Sequence, residues 1–241
     1  MIKYELYKLR IRRDGKIWTG ECRSMEKSVE KETVTAEEKA QRLSKFKALN
    51  ILGIGCAFIG WIIENVIRMI GKGVIDSRYH ILPFIPEYAL IPFAFFLLLG
   101  DANDITVFGK RLFKNKSTKT KILSNIICLF IICLAVFLGE QIVGMVYEKL
   151  FGVELWNYTY QPLHFTKYTS TLSVFGYGVG AWLLFKFVFG PLYKALLKVV
   201  ANKALSAVMW ILSALMAADA LLLLFQIAIG GSLPVYWAIY L

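Results

Sequence analysis

The feature that most restricts the fold of this chain is an uninterrupted apolar run, IICLFIICLAVFL, at positions 126–138. The run does not alternate apolar with polar residues, as a strand of a membrane β-barrel would. Hydrocarbon cannot satisfy free backbone N–H and C=O groups, whereas an α-helix satisfies them within a single segment. The run therefore predicts a helix that crosses a membrane.

Four other apolar stretches extend this prediction to a multi-pass protein. The chain is 57% hydrophobic with a mean hydropathy of +0.57, well above a typical soluble domain. A helix needs about 20 apolar residues to cross roughly 30 Å of hydrocarbon. The predicted spans are 48–70, 84–100, 122–147, 171–193 and 206–228, of which the second is short and contains proline. We therefore expect an all-α bundle of about five transmembrane helices in the cell membrane.

The expected organisation has three parts: a basic, amphipathic N-terminal region over residues 1–47, a transmembrane bundle over 48–228, and a short extracytoplasmic tail over 229–241. In the first part, Asp14-Gly15 is a hairpin-type turn signal. Thr35 and Glu38 form a capping-box pattern that predicts a helix start. We expect this region to lie on anionic lipid or, alternatively, to dock a partner.

The charge of +11 predicts orientation. Lys and Arg number 13 in residues 1–47, six in 100–121 and three in 194–205. Positive residues favour the cytoplasmic side, and five spans place these three segments together. We therefore expect a cytoplasmic N-terminus and an external C-terminus. Because the basic residues flank membrane spans, the expected partners are membrane lipids and not nucleic acid.

Ionisable side chains inside spans are costly and usually face a partner or a water-filled cavity. In this chain they are Glu64, Arg68, Glu140, Lys186 and Asp219. Glu64 and Arg68 share a helix face and could pair with each other. Arg68 and Lys186 could extend towards the two membrane surfaces. Asp219 is flanked by small residues, so we expect it to face a neighbouring helix.

Two helical stripes combine glycine with charge. Glu140, Gly144 and Glu148 follow one another at single-turn spacing, as do Gly60, Glu64 and Arg68 in the first span. The glycines would allow two helices to approach closely. We expect the stripes and the loops above them to form an outward-facing binding site, whose candidate residues are Glu64, Arg78, His80, Glu140, Glu148, Trp156, Asn157 and Tyr158. A salt-bridge network that only holds the bundle together is the open alternative.

A weak internal repeat runs through the same regions. Phe58, Gly60, Gly73, Val74, Tyr79 and Pro83 recur, at equal spacing, as Phe137, Gly139, Gly152, Val153, Tyr158 and Pro162. The first and third spans run in the same direction, so this pattern predicts a parallel repeat. Transporter folds often place their sites where such repeats meet.

Several catalytic motifs are absent from the sequence. It contains no Gly-x-Ser-x-Gly elbow, no His-Glu-x-x-His and no Gly-x-x-x-x-Gly-Lys-Ser/Thr phosphate loop. A metal site of His80, His164 and a glutamate is conceivable but lacks a characteristic spacing. Glu64 and Glu140 could do acid–base chemistry in a dry pocket. These observations favour a non-enzymatic role without a cofactor or a metal, and they leave enzymatic activity open.

Two segments resemble the motif regions of the ABC-transporter type IV (CmpB-like) family of small bacterial membrane proteins. They are GWIIENVIRM…SRYHILPFIPEY and LGEQIVGMVYEKLFGVELWNYTYQPLHF. The family pattern falls on Gly60, Trp61, Glu64, Arg78, Pro83, Pro86 and Tyr88, then on Glu140, Gly144, Glu148, Trp156, Tyr158 and Pro162. The likeness covers about residues 50–190.

This chain departs from the family pattern at five positions. Ser77 stands where the family has Asn, and Asn157 stands where it has Asp. The family has Gly at the positions of Tyr79, Leu82 and Ala89. An acid at position 157 is therefore not essential in this protein. The resemblance implies a permease-like function, with a separate ATPase subunit docked on the basic cytoplasmic segments.

The combined hypothesis is a permease-like membrane protein with an outward-facing polar pocket for a small molecule or a lipid headgroup. A membrane-embedded lipid-modifying enzyme and a non-transporting assembly partner are the alternatives. A homo-oligomer is left open.

Overall fold

The computed structural model describes the backbone of residues 19–101, 104–111, 113, 117–230 and 232–241, and the side chains of 36–100, 105–111, 113, 117–230 and 232–241. The chain divides into two units, Met1–Lys45 and Phe46–Leu241. The turn expected at Asp14-Gly15 lies outside the described residues.

Helices dominate the described chain. They are α1 (Thr19–Lys72), α2 (Ile91–Leu99, preceded by a 3-10 turn over Pro86–Leu90), α3 (Thr118–Phe151), α4 (Thr171–Leu183), a π-helical segment (Leu184–Phe189), α5 (Gly190–Val199) and α6 (Lys203–Gly230). Four continuous helical stretches are long and apolar enough to cross a membrane: Ala36–Lys72, Thr118–Phe151, Thr171–Val199 and Lys203–Gly230. The prediction of an all-α, multi-pass membrane protein is confirmed. Because α1 is continuous through Thr35, the helix start expected there is wrong.

The second predicted span is built differently from the others. Its helical part, Pro86–Leu99, is short, and at about 1.5 Å per residue it is only roughly 21 Å long. The chain reaches this helix through an irregular segment, residues 77–85, that runs back along α1. The Ile85 N–H donates to the Ala57 carbonyl at 3.1 Å, roughly 22 Å below the end of α1 by the same helical rise. A descending loop and a short helix thus replace one transmembrane helix.

Asp219 supports the descending loop. The backbone N–H groups of Ile81 and Leu82 each donate to its carboxylate at 3.1 Å. Asp219 lies near the middle of α6 and is 6% exposed. At that depth no bulk water is available to satisfy irregular backbone, so a protein acceptor must do so. The expectation that Asp219 faces a neighbouring helix is therefore wrong: it faces the loop.

Short antiparallel strands close the ends of the helices. They are β1 (Val74–Asp76), β2 (Gly100–Asp101), β3 (Asp104–Val107), β4 (Lys110–Arg111), β5 (His164–Thr166), β6 (Thr169–Ser170) and β7 (Ala238–Tyr240). β1 pairs with β7, and Val74 lies opposite Tyr240. This pairing places the end of α1 and the end of the chain on one side. An even number of crossings must separate them, so the loop and α2 together complete one crossing.

The helices pack through aromatic and small residues. Phe95, Leu99, Cys128, Ile132, Phe185 and Phe189 form the larger buried cluster. A Cβ added at Gly178 would lie 2.5 Å from the Cys133 sulfur, so α3 and α4 are in close contact there. Asn50 of α1 donates to Ser213 of α6 at 2.8 Å. Many large apolar side chains on the outer faces of the helices remain exposed, as expected for surfaces in lipid.

The arrangement predicts which loops are accessible from each side of the membrane. In a background without Cys22, Cys56, Cys128 and Cys133, Tyr160→Cys in the loop after α3 should react with a membrane-impermeant maleimide in intact cells. Lys119→Cys at the start of α3 should react only after permeabilisation, because the positive-inside rule places it in the cytoplasm. Both positions are exposed. Labelling of both in intact cells would contradict this topology.

Candidate functional site

Glu64 on α1 is held by two groups from the descending segment. Arg78 Nη2 lies 3.0 Å from Glu64 Oε2, and the Tyr88 hydroxyl donates to Oε1 at 2.9 Å. The Tyr88 ring lies against Gly60, where an added Cβ would be 2.6 Å from the ring. The small residue one turn before the glutamate therefore admits an aromatic ring. The sequence suggested that this glycine would let a second helix approach, but the Tyr88 ring occupies the space.

Arg68 pairs with Asp76 and not with Glu64. Its Nη2 lies 2.8 Å from Asp76 Oδ2, and the Asp76 N–H donates to Asn65 Oδ1 at 2.8 Å. Two charged residues one turn apart on a helix are close enough to pair, but this spacing does not require them to do so. Here the first loop supplies a stronger partner to each residue, so the expected Glu64–Arg68 pair is wrong.

The backbone at Arg78 is unusual. Arg78 and Tyr79 have φ values of 52° and 70°, in the left-handed region that few residues other than glycine adopt. The Arg78 N–H donates to Asp76 Oδ1 at 3.0 Å, which stabilises the turn. The turn directs the Arg78 guanidinium towards Glu64. A strained backbone conformation of this type persists only where the surrounding structure holds it in place.

Glu148 near the end of α3 has an equivalent environment. Lys167 forms an ion pair with it, and the Tyr168 hydroxyl donates to Oε2 at 2.9 Å. The hydrogen bond to Glu148 raises the pKa of Lys167. The Tyr168 ring lies against Gly144, where an added Cβ would be 2.7 Å from the ring. Trp156 fixes this tyrosine by donating to its carbonyl at 2.7 Å.

The environments of Glu64 and Glu148 correspond to each other in an alignment that differs from that of the sequence repeat. Each contains a glycine, a glutamate one turn later, and a tyrosine and a cation from the loop that follows. Gly60 corresponds to Gly144 in this respect, and not to Gly139 as the sequence repeat implied. Gly139 has no atom near an added Cβ. The parallel repeat stays a prediction, and the two environments follow a different alignment from the one that the sequence pattern gave.

Glu140 lies two turns below Glu148 on the same stripe and has different neighbours. Ser173 Oγ donates to Glu140 Oε2 at 2.8 Å, and the Tyr158 hydroxyl lies 3.5 Å from Oε1. Thr169, which is fully buried, is the third hydroxyl beside it. Among the described residues, no Lys, Arg or His forms an ion pair with Glu140.

Tyr158 connects the two halves of the region. Burial raises its pKa, and the negative charge of Glu140 and then the nearby Tyr177 and Glu64 add to the effect. The charge of a glutamate from each stripe therefore acts on this phenol. The convergence of Glu64, Arg78, Glu140 and Tyr158 on one binding site stays a prediction.

His80 belongs to a separate buried pair. Its Nδ1 lies 3.5 Å from Asp219 Oδ2, and both side chains are almost fully buried. The imidazole thus lies inside the loop that Asp219 supports.

Three further predicted or considered residues lie outside the polar region. Asn157 bonds within its own loop, to Glu154 at 3.3 Å and to the Thr159 N–H at 2.9 Å. His164 is exposed in β5 and contacts the Gln161 carbonyl. Lys186 lies in the π-helical segment with its Nζ 4.9 Å from the Trp182 ring centroid. The helix continues to Val199, beyond the predicted end of this span, so Lys186 is farther from the inner surface than expected.

The described residues contain no group of three metal-ligating side chains, so His80, His164 and a glutamate are not assembled into a metal site.

The sequence analysis missed Asp76, Lys167, Tyr168 and Ser173. One available signal was that an aromatic and a basic residue from the loop accompany each Gly-x-x-x-Glu pattern.

A cavity of about 340 Å³ lies elsewhere, at the end of α6, and is lined by Phe225, Gln226, Ile229, Gly230, Ser232 and Pro234.

Comparison with known proteins identifies one family. The model of the family described as "Putative ABC-transporter type IV" matches residues 52–224. The match extends from α1 through most of α6 and includes both glutamate stripes. No curated protein and no solved structure matches the chain significantly.

The tyrosine contacts predict unequal effects of glycine substitution on α3. Gly144→Ala should lower the free energy of unfolding by about 1–3 kcal/mol, because the added methyl collides with the Tyr168 ring. Gly139→Ala, on an open face of the same helix, should be neutral or stabilising by up to about 1 kcal/mol. Denaturant unfolding in detergent would measure both. Equal effects would contradict the packing of Tyr168 on Gly144.

Proposed function

Because the chain belongs to this ABC-transporter-related family of membrane proteins, we propose that it acts as a permease-like component. In this proposal, its outward-facing polar site binds a small molecule or a lipid headgroup. The site is centred on Glu140 and Tyr158, and the pairs Glu64–Arg78 and Glu148–Lys167, with Trp156, hold the two loops around it. The cell-membrane location follows from the family and the apolar helices.

The observation that carries this proposal is the descent of both loops. Residues 77–85 reach the level of Ala57 on α1. Tyr158, from the loop after α3, reaches Glu140, roughly 16 Å below the end of that helix. Non-helical backbone at membrane depth occurs where it is buried in protein or lines a water-filled pathway. In transporters, such broken segments form substrate sites between repeats.

The charges divide the glutamates into two groups. Glu64 and Glu148 each have a cationic and a tyrosine partner, so they act as supports that hold the loops against the helices. Glu140 has hydroxyl partners and lies below them. This division supports a structural role for the paired acids and a binding role for Glu140.

We propose a separate ATPase chain as the source of nucleotide hydrolysis, and residues 1–241 contain no phosphate-binding loop. The basic segments around residues 100–121 and 194–205 would face it in the cytoplasm. In this proposal the chain supplies the membrane pathway and the partner supplies nucleotide hydrolysis.

Ligand-dependent stabilisation tests the site even though its substrate is unidentified. A compound that binds only the folded state raises the thermal midpoint. A library of soluble metabolites and short-chain lipid headgroup analogues should contain compounds that stabilise the wild type. Glu140→Gln should insert, purify and unfold like the wild type, yet lose the stabilisation. The exposed loop substitution Glu154→Gln removes the same charge and should retain it.

Three outcomes would contradict the proposal. These are failure of every compound to stabilise the wild type, persistence of the stabilisation in Glu140→Gln, or loss of expression of that variant. The last outcome would favour a purely structural role for Glu140.

A further inference from the structure

Glu140 differs from the other acids of the helical bundle in its charge environment. Glu64 faces Arg78, Asp76 faces Arg68, Glu148 faces Lys167, and Asp219 faces His80 together with two backbone N–H groups. Glu140 is half-buried, and its hydrogen-bond partners among the described residues are hydroxyl groups alone. Unlike Glu64, Asp76 and Glu148 it has no cation, and unlike Asp219 it has no backbone N–H donor, among the described residues.

We infer that the ligand bound at Glu140 carries a protonated primary amine. The inference rests on the proposed binding function and specifies the chemistry of its substrate. A carboxylate removed from bulk water is stabilised by a cation that also satisfies its hydrogen bonds. The ligand would supply the cation that Lys167 supplies to Glu148.

The hydroxyl groups around Glu140 suit this type of cation. A primary ammonium group has three N–H donors and no acceptor. The Thr169 side chain is completely buried, and its Oγ1 has no geometrically sound hydrogen-bond partner. Tyr158 Oη is only loosely bonded to Glu140, at 3.5 Å. One ammonium group could therefore donate to Glu140, Thr169 and Tyr158 together.

Charge selection follows from the same surroundings. The Glu140 carboxylate has only hydroxyl partners among the described residues, so the local field at Glu140 is negative. An anionic ligand group placed against Glu140 would be repelled. A neutral ligand could bond to the hydroxyls but would leave the carboxylate unpaired. A quaternary ammonium group would neutralise the charge without donating to any of the oxygens.

The direct test uses ethanolamine as the probe and the full chain in phosphatidylcholine nanodiscs, whose lipid headgroups contain no primary amine. Ethanolamine should raise the thermal midpoint and bind saturably by calorimetry. Ethylene glycol, its uncharged analogue, should not. Tetramethylammonium should bind at least about tenfold more weakly, because it lacks N–H donors. Glu140→Gln should lose the response to ethanolamine, and the exposed-loop control Glu154→Gln should keep it.

A second pair of nanodiscs separates the two sources of the amine. If the source is a lipid headgroup, replacing phosphatidylcholine by phosphatidylethanolamine should raise the midpoint and abolish the response to added ethanolamine. If the source is a soluble amine, the response should be the same in both lipids. Either result supports an amine at Glu140.

The inference is overturned if neither ethanolamine nor phosphatidylethanolamine stabilises the wild type, or if Glu140→Gln responds equally. The proposed function can survive that outcome. A neutral or anionic compound from the library that stabilises the wild type, but not Glu140→Gln, would show a binding site of different chemistry. Failure of the library as well as the amines would refute the proposed function itself.

Discussion

The architecture depends on how backbone N–H groups are satisfied away from water. Segment 77–85 is not helical, yet it lies between α1 and α6 well below their ends. Three of its backbone N–H groups find acceptors in neighbouring helices. Ile81 and Leu82 donate to the Asp219 carboxylate, and Ile85 donates to the Ala57 carbonyl. Without these acceptors the loop would carry unsatisfied polar groups, at several kcal/mol each. Asp219 is thus a structural anchor: two backbone N–H groups donate to its carboxylate, and the buried His80 imidazole lies beside it.

The same constraint explains why a glycine precedes the ion-paired glutamate by one turn on each helix. A loop that descends along a helix needs an attachment point, and a tyrosine provides one only if its ring can lie on the helix backbone. Gly60 and Gly144 provide that space, and the hydroxyls of Tyr88 and Tyr168 then reach a glutamate one turn farther on. Arg78 and Lys167 compensate the charge. Ring packing, a hydrogen bond and an ion pair act together at each site.

Several of these features could be predicted from sequence, and others could not. Apolar length identified the helices, and the rarity of charge in hydrocarbon identified Glu64, Glu140 and Asp219 as residues that need partners. The partners themselves depend on tertiary structure. Spacing showed that Arg68 could reach Glu64, but the left-handed turn at Arg78 gives Glu64 a different cation. The prolines marked the second span as irregular without showing how deep its loop extends.

Glu140 is where the two stripes cease to be equivalent. On α1 the stripe has one glutamate, and the loop above provides its arginine. On α3 it has two glutamates, and the loop provides one lysine, which pairs with the upper acid. A network needed only for stability would gain nothing from the lower acid, since a half-buried carboxylate without a cation costs free energy. The hydroxyls of Ser173 and Tyr158 reduce that cost but do not remove the charge. A cation that arrives from outside the chain would remove it, which ties the stability of this region to occupancy of the site.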